Sequence, residues 1–120
     1  MSISSFSKDG TLTFQFTDPR ITDDVHLKRV FDELTKQLNK SEEKQVILDF
    51  KQVEFMASSM LGKLVQVNKK CKEFRVKLKL CSISPDIFEV FKITKLNKVF
   101  DIQPDEPTAR KSFNKRGFFG

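Results

Sequence analysis

QVILDFKQVEFMASSMLGKLVQVNKKC, residues 45–71, decides how the rest of the chain is read. Val46, Ile47 and Leu48 are consecutive apolar residues, two of them β-branched, and Asp49 closes the run. That pattern suits a central parallel strand covered on both faces and ending at the rim of its sheet. Val53 and Phe55 then alternate with Gln52 and Glu54, which predicts a second, short extended segment. A helix follows, with Ser58 or Ser59 as its N-cap and Leu61, Leu64, Val65, Asn68 and Cys71 along one face. Lys63, Lys69, Lys70 and Lys72 take the solvated side. On local pattern alone the two serines are helix-capping residues.

Working outward, Ile3–Phe6 and Thr11–Phe16 alternate as two short strands around a turn at Lys8, Asp9 and Gly10. Leu12, Phe14 and Phe16 share one face of the second strand and Thr11, Thr13 and Gln15 the other, so this strand is expected to be half exposed and near the sheet edge. Pro19 interrupts the extended run. Thr22 or Asp23 caps a helix whose Leu27, Val30, Phe31, Leu34 and Leu38 recur at helical spacing as far as Asn39. Beyond Cys71, residues Arg75 to Cys81 form a strand with one wet face carrying Lys77 and Lys79. Ser84 and Pro85 open a third helix with Ile87, Phe88 and Phe91 inward and Leu96 closing it. Val99 to Gln103 is a brief strand and Asp105 to Phe113 a last short helix. Strands alternating with helices predict an α/β domain: a mostly parallel central sheet of four to five strands with an edge hairpin, flanked by about four helices.

With 120 residues the chain holds one domain and one core. No apolar stretch approaches the roughly 20 residues needed to span a bilayer, so no membrane insertion is expected. MSISSFSKDG has no basic segment followed by an apolar one, which gives no secretory signal and points to the cytoplasm. Cys71 and Cys81 have no Cys or His at metal-ligand spacing and read as small core residues; His26 reads as a surface residue; no metal site and no cofactor is expected. Net charge is +6, but Arg110, Lys111, Lys115 and Arg116 supply four of those charges, leaving residues 1–107 at +2. We therefore divide the chain into a domain of residues 1–114 and a basic, Phe-containing tail of residues 115–120, and expect no nucleic-acid binding.

Catalysis requires a nucleophile with its base, a metal or a phosphate loop, and none of these has a recognisable form here. Only Gly10 and Gly62 lie inside the predicted fold. A receiver-like signalling domain shares the layering and an Asp at a strand end, here Asp49. Its acidic pair belongs at the end of the first strand, whereas Asp23 and Asp24 start a helix.

VILDFKQVEFMASSMLGKL resembles the signature segment of the STAS family, shared by sulfate transporters and anti-sigma factor antagonists. There an apolar strand ending in Asp leads to an Asp-Ser-Ser/Thr-Gly-Leu-Gly type motif at a helix N-terminus. VKLKLCSISPDIFEVFKITKLNKVFDIQPDEPTA is similar to the family's second half, so the resemblance covers roughly residues 10–114. It implies a non-enzymatic anti-sigma factor antagonist that binds a serine-kinase anti-sigma factor, is phosphorylated on the first serine of the motif and is reset by a serine phosphatase. Carried onto this chain, the phosphoacceptor is Ser58, with Ser59 as fallback. The alternative from the same resemblance is a subunit of a lipid or solute transport assembly. Two positions depart from the motif: Ala57 replaces the acid and Met60 replaces the small Gly. The implied partner surface comprises Phe55, Met56, Ala57, Ser59, Met60 and Lys63; a narrower version keeps Phe55 and Met56 in the core and exposes only Met60 and Lys63.

Overall fold

The computed structural model describes residues 3–21 and 23–119, with side chains as far as Phe113. In chain order the elements are β1 (Ile3–Lys8), β2 (Thr11–Phe16), β3 (Arg20–Ile21), α1 (Asp24–Lys40), β4 (Gln45–Asp49), β5 (Phe55–Met56) and α2 (Ser58–Glu73). They continue with β6 (Lys77–Cys81), α3 (Pro85–Ile93), a 3-10 turn (Leu96–Lys98), β7 (Asp101–Gln103) and α4 (Glu106–Phe119). The main sheet has the order β1-β2-β4-β6-β7, with β4 in the middle. All its pairings are parallel except the β1–β2 hairpin. Asp9 and Gly10, both at positive φ, turn that hairpin in the geometry that matches strand twist.

Register explains why the sheet has two differently built faces. Phe14, Leu48, Leu80 and Ile102 stand in one row across four strands, and Thr13, Ile47, Lys79 and Asp101 in the next. The first row faces α1, α2 and α3, where Phe31, Leu34, Leu64, Ile87 and Phe91 complete the main core. Phe16 lies between the rings of Phe31 and Phe50, with centroids 5.9 and 5.1 Å away. The second row faces α4, where Ile47 and Cys81 meet Ala109 and Phe113.

The α4 face corrects two expectations. β2 does lie near the edge, one strand in from β1, but it is buried on both faces rather than half exposed. Thr11 and Thr13 are buried because hydrogen bonds satisfy their hydroxyls: Thr11 donates to Gln45 Oε1 at 3.0 Å and Thr13 to Glu106 Oε2 at 3.2 Å. The wet face of β6 is also partly covered, with Lys79 Nζ 2.6 Å from Asp101 and 4.9 Å from the centre of the Phe113 ring. Arg110, one of the four C-terminal positive charges counted above, pairs with Glu106 and lies over the Phe6 ring. α4 extends to Phe119, past the predicted end at Phe113, so the boundary drawn at residue 114 falls inside this helix, whose one proline, Pro107, sits in the first turn where it is tolerated.

Helix ends follow local chemistry. Asp23 caps α1 by accepting the His26 amide at 2.8 Å, Ser84 caps α3 at Ile87, and the Asp105 carboxylate accepts the Thr108 amide at the start of α4. The alternative α1 cap, Thr22, lies outside the described residues. α3 stops at Ile93, so Leu96 belongs to the 3-10 turn after it, and Phe88 is only half buried. In α2, Val65 is 40% exposed and Val67 takes its place in the core, because the buried stripe is turned toward Met60 and Val67 relative to the one predicted.

Burial pushes the Cys71 thiol up to about 11, against a small opposing pull from Lys70, and burial with the nearby Asp49 carboxylate pushes Cys81 to about 12. Thiolate is the reactive species, so at pH 8 both thiols should react with a disulfide reagent at least about a hundredfold more slowly in the native protein than in urea, Cys81 the slower of the two. Equal rates would show that the core around them is open.

Candidate functional site

The site is assembled where the chain leaves β4. Asp49 is buried, accepting the Lys51 amide at 2.9 Å and the Gln15 side chain at 3.4 Å, so its carboxylate closes the turn out of the sheet. Phe50 drops into the core and its carbonyl accepts the Val53 amide at 2.9 Å. The Pro19 carbonyl then accepts both the Glu54 and Phe55 amides, at 2.9 and 3.1 Å. These bonds lead β5 into a parallel pairing with β3, Arg20 opposite Phe55 and Ile21 opposite Met56. Two residues of strand suffice to sort the side chains. Ile21 and Met56 turn inward, while Arg20 and Phe55 remain exposed, Phe55 by 49%.

α2 begins directly after β5, and here the capping expectation is corrected. The N-cap is Ala57, with extended backbone and no side-chain capping bond; Ser58 and Ser59 are the first two helical residues. Both serines are exposed. The Met60 amide bonds to the Ala57 carbonyl at 3.0 Å. The first turn contains no acid, and further along α2 Lys63, Lys69, Lys70 and Lys72 outnumber the single Glu73. The positive end of the helix dipole thus meets solvent beside two hydroxyls.

Of the proposed surface residues, Phe55, Ser58 and Ser59 are exposed and Ala57 and Lys63 half buried. Lys63 lines a shallow groove between α1 and α2 with Asp32, Gln66 and Lys70. Met56 and Met60 are buried, Met60 completely, which removes both from any surface that a partner touches. The narrower version is right that Met56 is core, but Phe55 is outside and Met60 inside. The signal for Met60 was available: it precedes Leu64 by four residues and Val67 by seven, the spacing of a single helical stripe. Arg20 and Val25 were missed as well. Arg20 is the ladder partner of Phe55, and Val25, 68% exposed, sits in the first turn of α1 just after β3. The β3–β5 pairing brings Arg20 beside Phe55, and a two-residue strand leaves no periodicity to read.

The model of the STAS domain matches residues 8–109. The chain belongs to the STAS domain family. Over 81 residues it is 28% identical to a Bordetella bronchiseptica protein assigned as an anti-sigma factor antagonist, BtrV, covering 68% of this chain and 69% of that one. Among solved STAS folds, an anti-sigma factor antagonist of Thermotoga maritima superposes with a TM-score of 0.83 at 17% identity, covering 92% of each chain. The Bacillus cell-fate determinant SpoIIAA in its phosphorylated form superposes at 0.68 with 14% identity, covering 92% of this chain and 98% of that one. At such identities the structural likeness establishes the fold alone. The architecture expected from sequence, a single α/β domain with a mostly parallel sheet and an edge hairpin, is the STAS architecture found. STAS antagonists are regulatory binding proteins, and no helix among the described residues is long and apolar enough to cross a membrane.

The burial pattern at this STAS site predicts opposite outcomes for adjacent side chains. Met60→Ala should cost about 2–5 kcal/mol of stability in urea denaturation, as for other fully buried side chains. Phe55→Ala should stay within about 0.5 kcal/mol. Comparable losses for the two would refute the assignment of inward and outward faces.

Proposed function

We propose that this protein is an anti-sigma factor antagonist that binds a serine-kinase anti-sigma factor in the cytoplasm through the surface around the N-terminus of α2, and that Ser58 is its phosphoacceptor. The observation that carries the reading is an exposed Ser58 hydroxyl in the first position of a helix whose opening amides have no side-chain cap. Phe55, Ser59 and Lys63 belong to the contact surface, joined by Arg20, and Ala57 forms the backbone corner between Phe55 and the serines.

The chemistry is a phosphoryl transfer in which this chain is the substrate. The Ser58 Oγ attacks the γ-phosphorus of ATP held by the kinase, the Oγ–P bond forms as the bond to the β-bridging oxygen breaks, ADP leaves and the hydroxyl proton passes to base. The phosphate adds a charge of about −1.5 to −2. At an exposed helix N-terminus the dipole favours each unit of negative charge by roughly 0.3–1 kcal/mol, so the modified protein stays folded. Against a partner already seated on Phe55 and Ser59, the same phosphate brings desolvation and displacement, which weakens the complex. Ala57, where the family motif has an acid, takes away a repulsion that the phosphate would otherwise meet. A serine phosphatase restores the binding form.

Incubation with ATP and the serine-kinase anti-sigma factor of the same organism, followed by peptide mapping, tests the assignment. One phosphate should appear on Ser58 and vanish in Ser58→Ala, while Ser59→Ala should still be modified. Phosphate confined to Ser59, or none on either serine, would overturn it. Lys63→Glu should weaken kinase binding by about tenfold, and unchanged affinity would move the contact surface elsewhere.

A further inference from the structure

β6 is longer than the strand beside it. β7 pairs with it only at Lys79–Asp101, Leu80–Ile102 and Cys81–Gln103, so Lys77 and Leu78 lie ahead of the last rung, with β4 on one side and no strand on the other. The Lys77 amide donates to the Lys44 carbonyl on the β4 side at 2.8 Å. Amides of successive residues in a strand point to opposite sides, so that of Leu78 faces the open edge. That edge opens into a groove of about 360 Å³ between the C-terminal half of α2 and α4. Leu78 is half buried in it and Val99 is 46% exposed at its rim, beside the polar side chains of Asn68 and Ser112.

The groove is also positively charged. Lys72 and Lys77 are exposed along it and pair with no acid among the described residues. Asp101, the one carboxylate among the described lining residues, is already taken by Lys79 at 2.6 Å. An unfilled strand edge with apolar side chains next to it selects an extended peptide, and two unmatched lysines select a negatively charged one. We infer that this groove takes an extended acidic segment of a partner protein, added as a strand to the open edge of β6. α2 connects the two sites: its first turn carries Ser58 at one end of the sheet, and its last turn carries Lys72 about 20 Å away, beside the start of β6. Both surfaces can therefore be occupied at once.

The test is an NMR titration of the full ¹⁵N-labelled chain with a short capped peptide alternating glutamate and valine. The expected shifts centre on the amides of Lys77, Leu78 and Lys79 and on Val99, with slowed exchange of the Leu78 amide. The double variant Lys72→Glu with Lys77→Glu, both on the surface, should bind at least about tenfold more weakly, and a lysine–valine peptide should leave the spectrum of the unaltered chain unchanged. The lysine–valine control reads charge selectivity even where the double variant is poorly folded. No shifts up to roughly 1 mM peptide would overturn the inference, as would shifts gathered at the start of α2. Equal perturbation by a DNA oligonucleotide would overturn it too, by showing a general polyanion surface.

Discussion

Everything in this domain depends on burying β4 on both faces. Val46, Ile47 and Leu48 are all fully inaccessible, which no single layer of helices could achieve, since alternate residues of a strand point to opposite sides. The chain therefore needs helices on both faces. Three of them are consecutive crossovers on the Leu48 side, and the fourth, α4, returns to cover Ile47. Parallel neighbours on each side, β2 and β6, satisfy the backbone of β4 in the sheet plane. With β4 fixed in this way, its C-terminal end has to emerge at the rim, and the short path from there to α2 sets where Ser58 lies.

That path is held mainly by backbone groups. Asp49 closes the turn, the Pro19 carbonyl takes two amides, and two rungs of β3–β5 pairing hold the last step before the helix. A site built so can change its exposed side chains without losing its shape. Ala57 and Met60, which depart from the family motif, fit this division: one is the backbone corner at the cap position and the other faces the core. The surface proposed for a partner is small and mixed, an aromatic ring, an arginine, two hydroxyls and a half-buried lysine.

The order and type of the large elements were legible because each carries a clear period. VIL could be read as a doubly covered strand, and the stripes of α1 and α3 could be followed from their caps. Three things escaped the pattern for physical reasons. Thr11 and Thr13 read as solvent-facing because hydropathy cannot see that a hydroxyl has found an acceptor. The β3–β5 pair is too short to alternate. The start of α2 was displaced because serine is the more favoured cap, yet here alanine occupies the position and the serines lie just inside the helix. The reading of Met60 as exposed came from treating it as a replaced glycine rather than as part of the Leu64 stripe.

The proposed switch is tested most directly by one comparison: the affinity of the purified chain for the serine-kinase anti-sigma factor proposed as its partner, measured by calorimetry before and after stoichiometric phosphorylation, with circular dichroism on the same samples. It predicts that phosphorylation weakens binding by at least about tenfold while the spectrum of the free chain stays the same. Equal affinities for the two forms would contradict it, because the α2 N-terminus would then carry no switch.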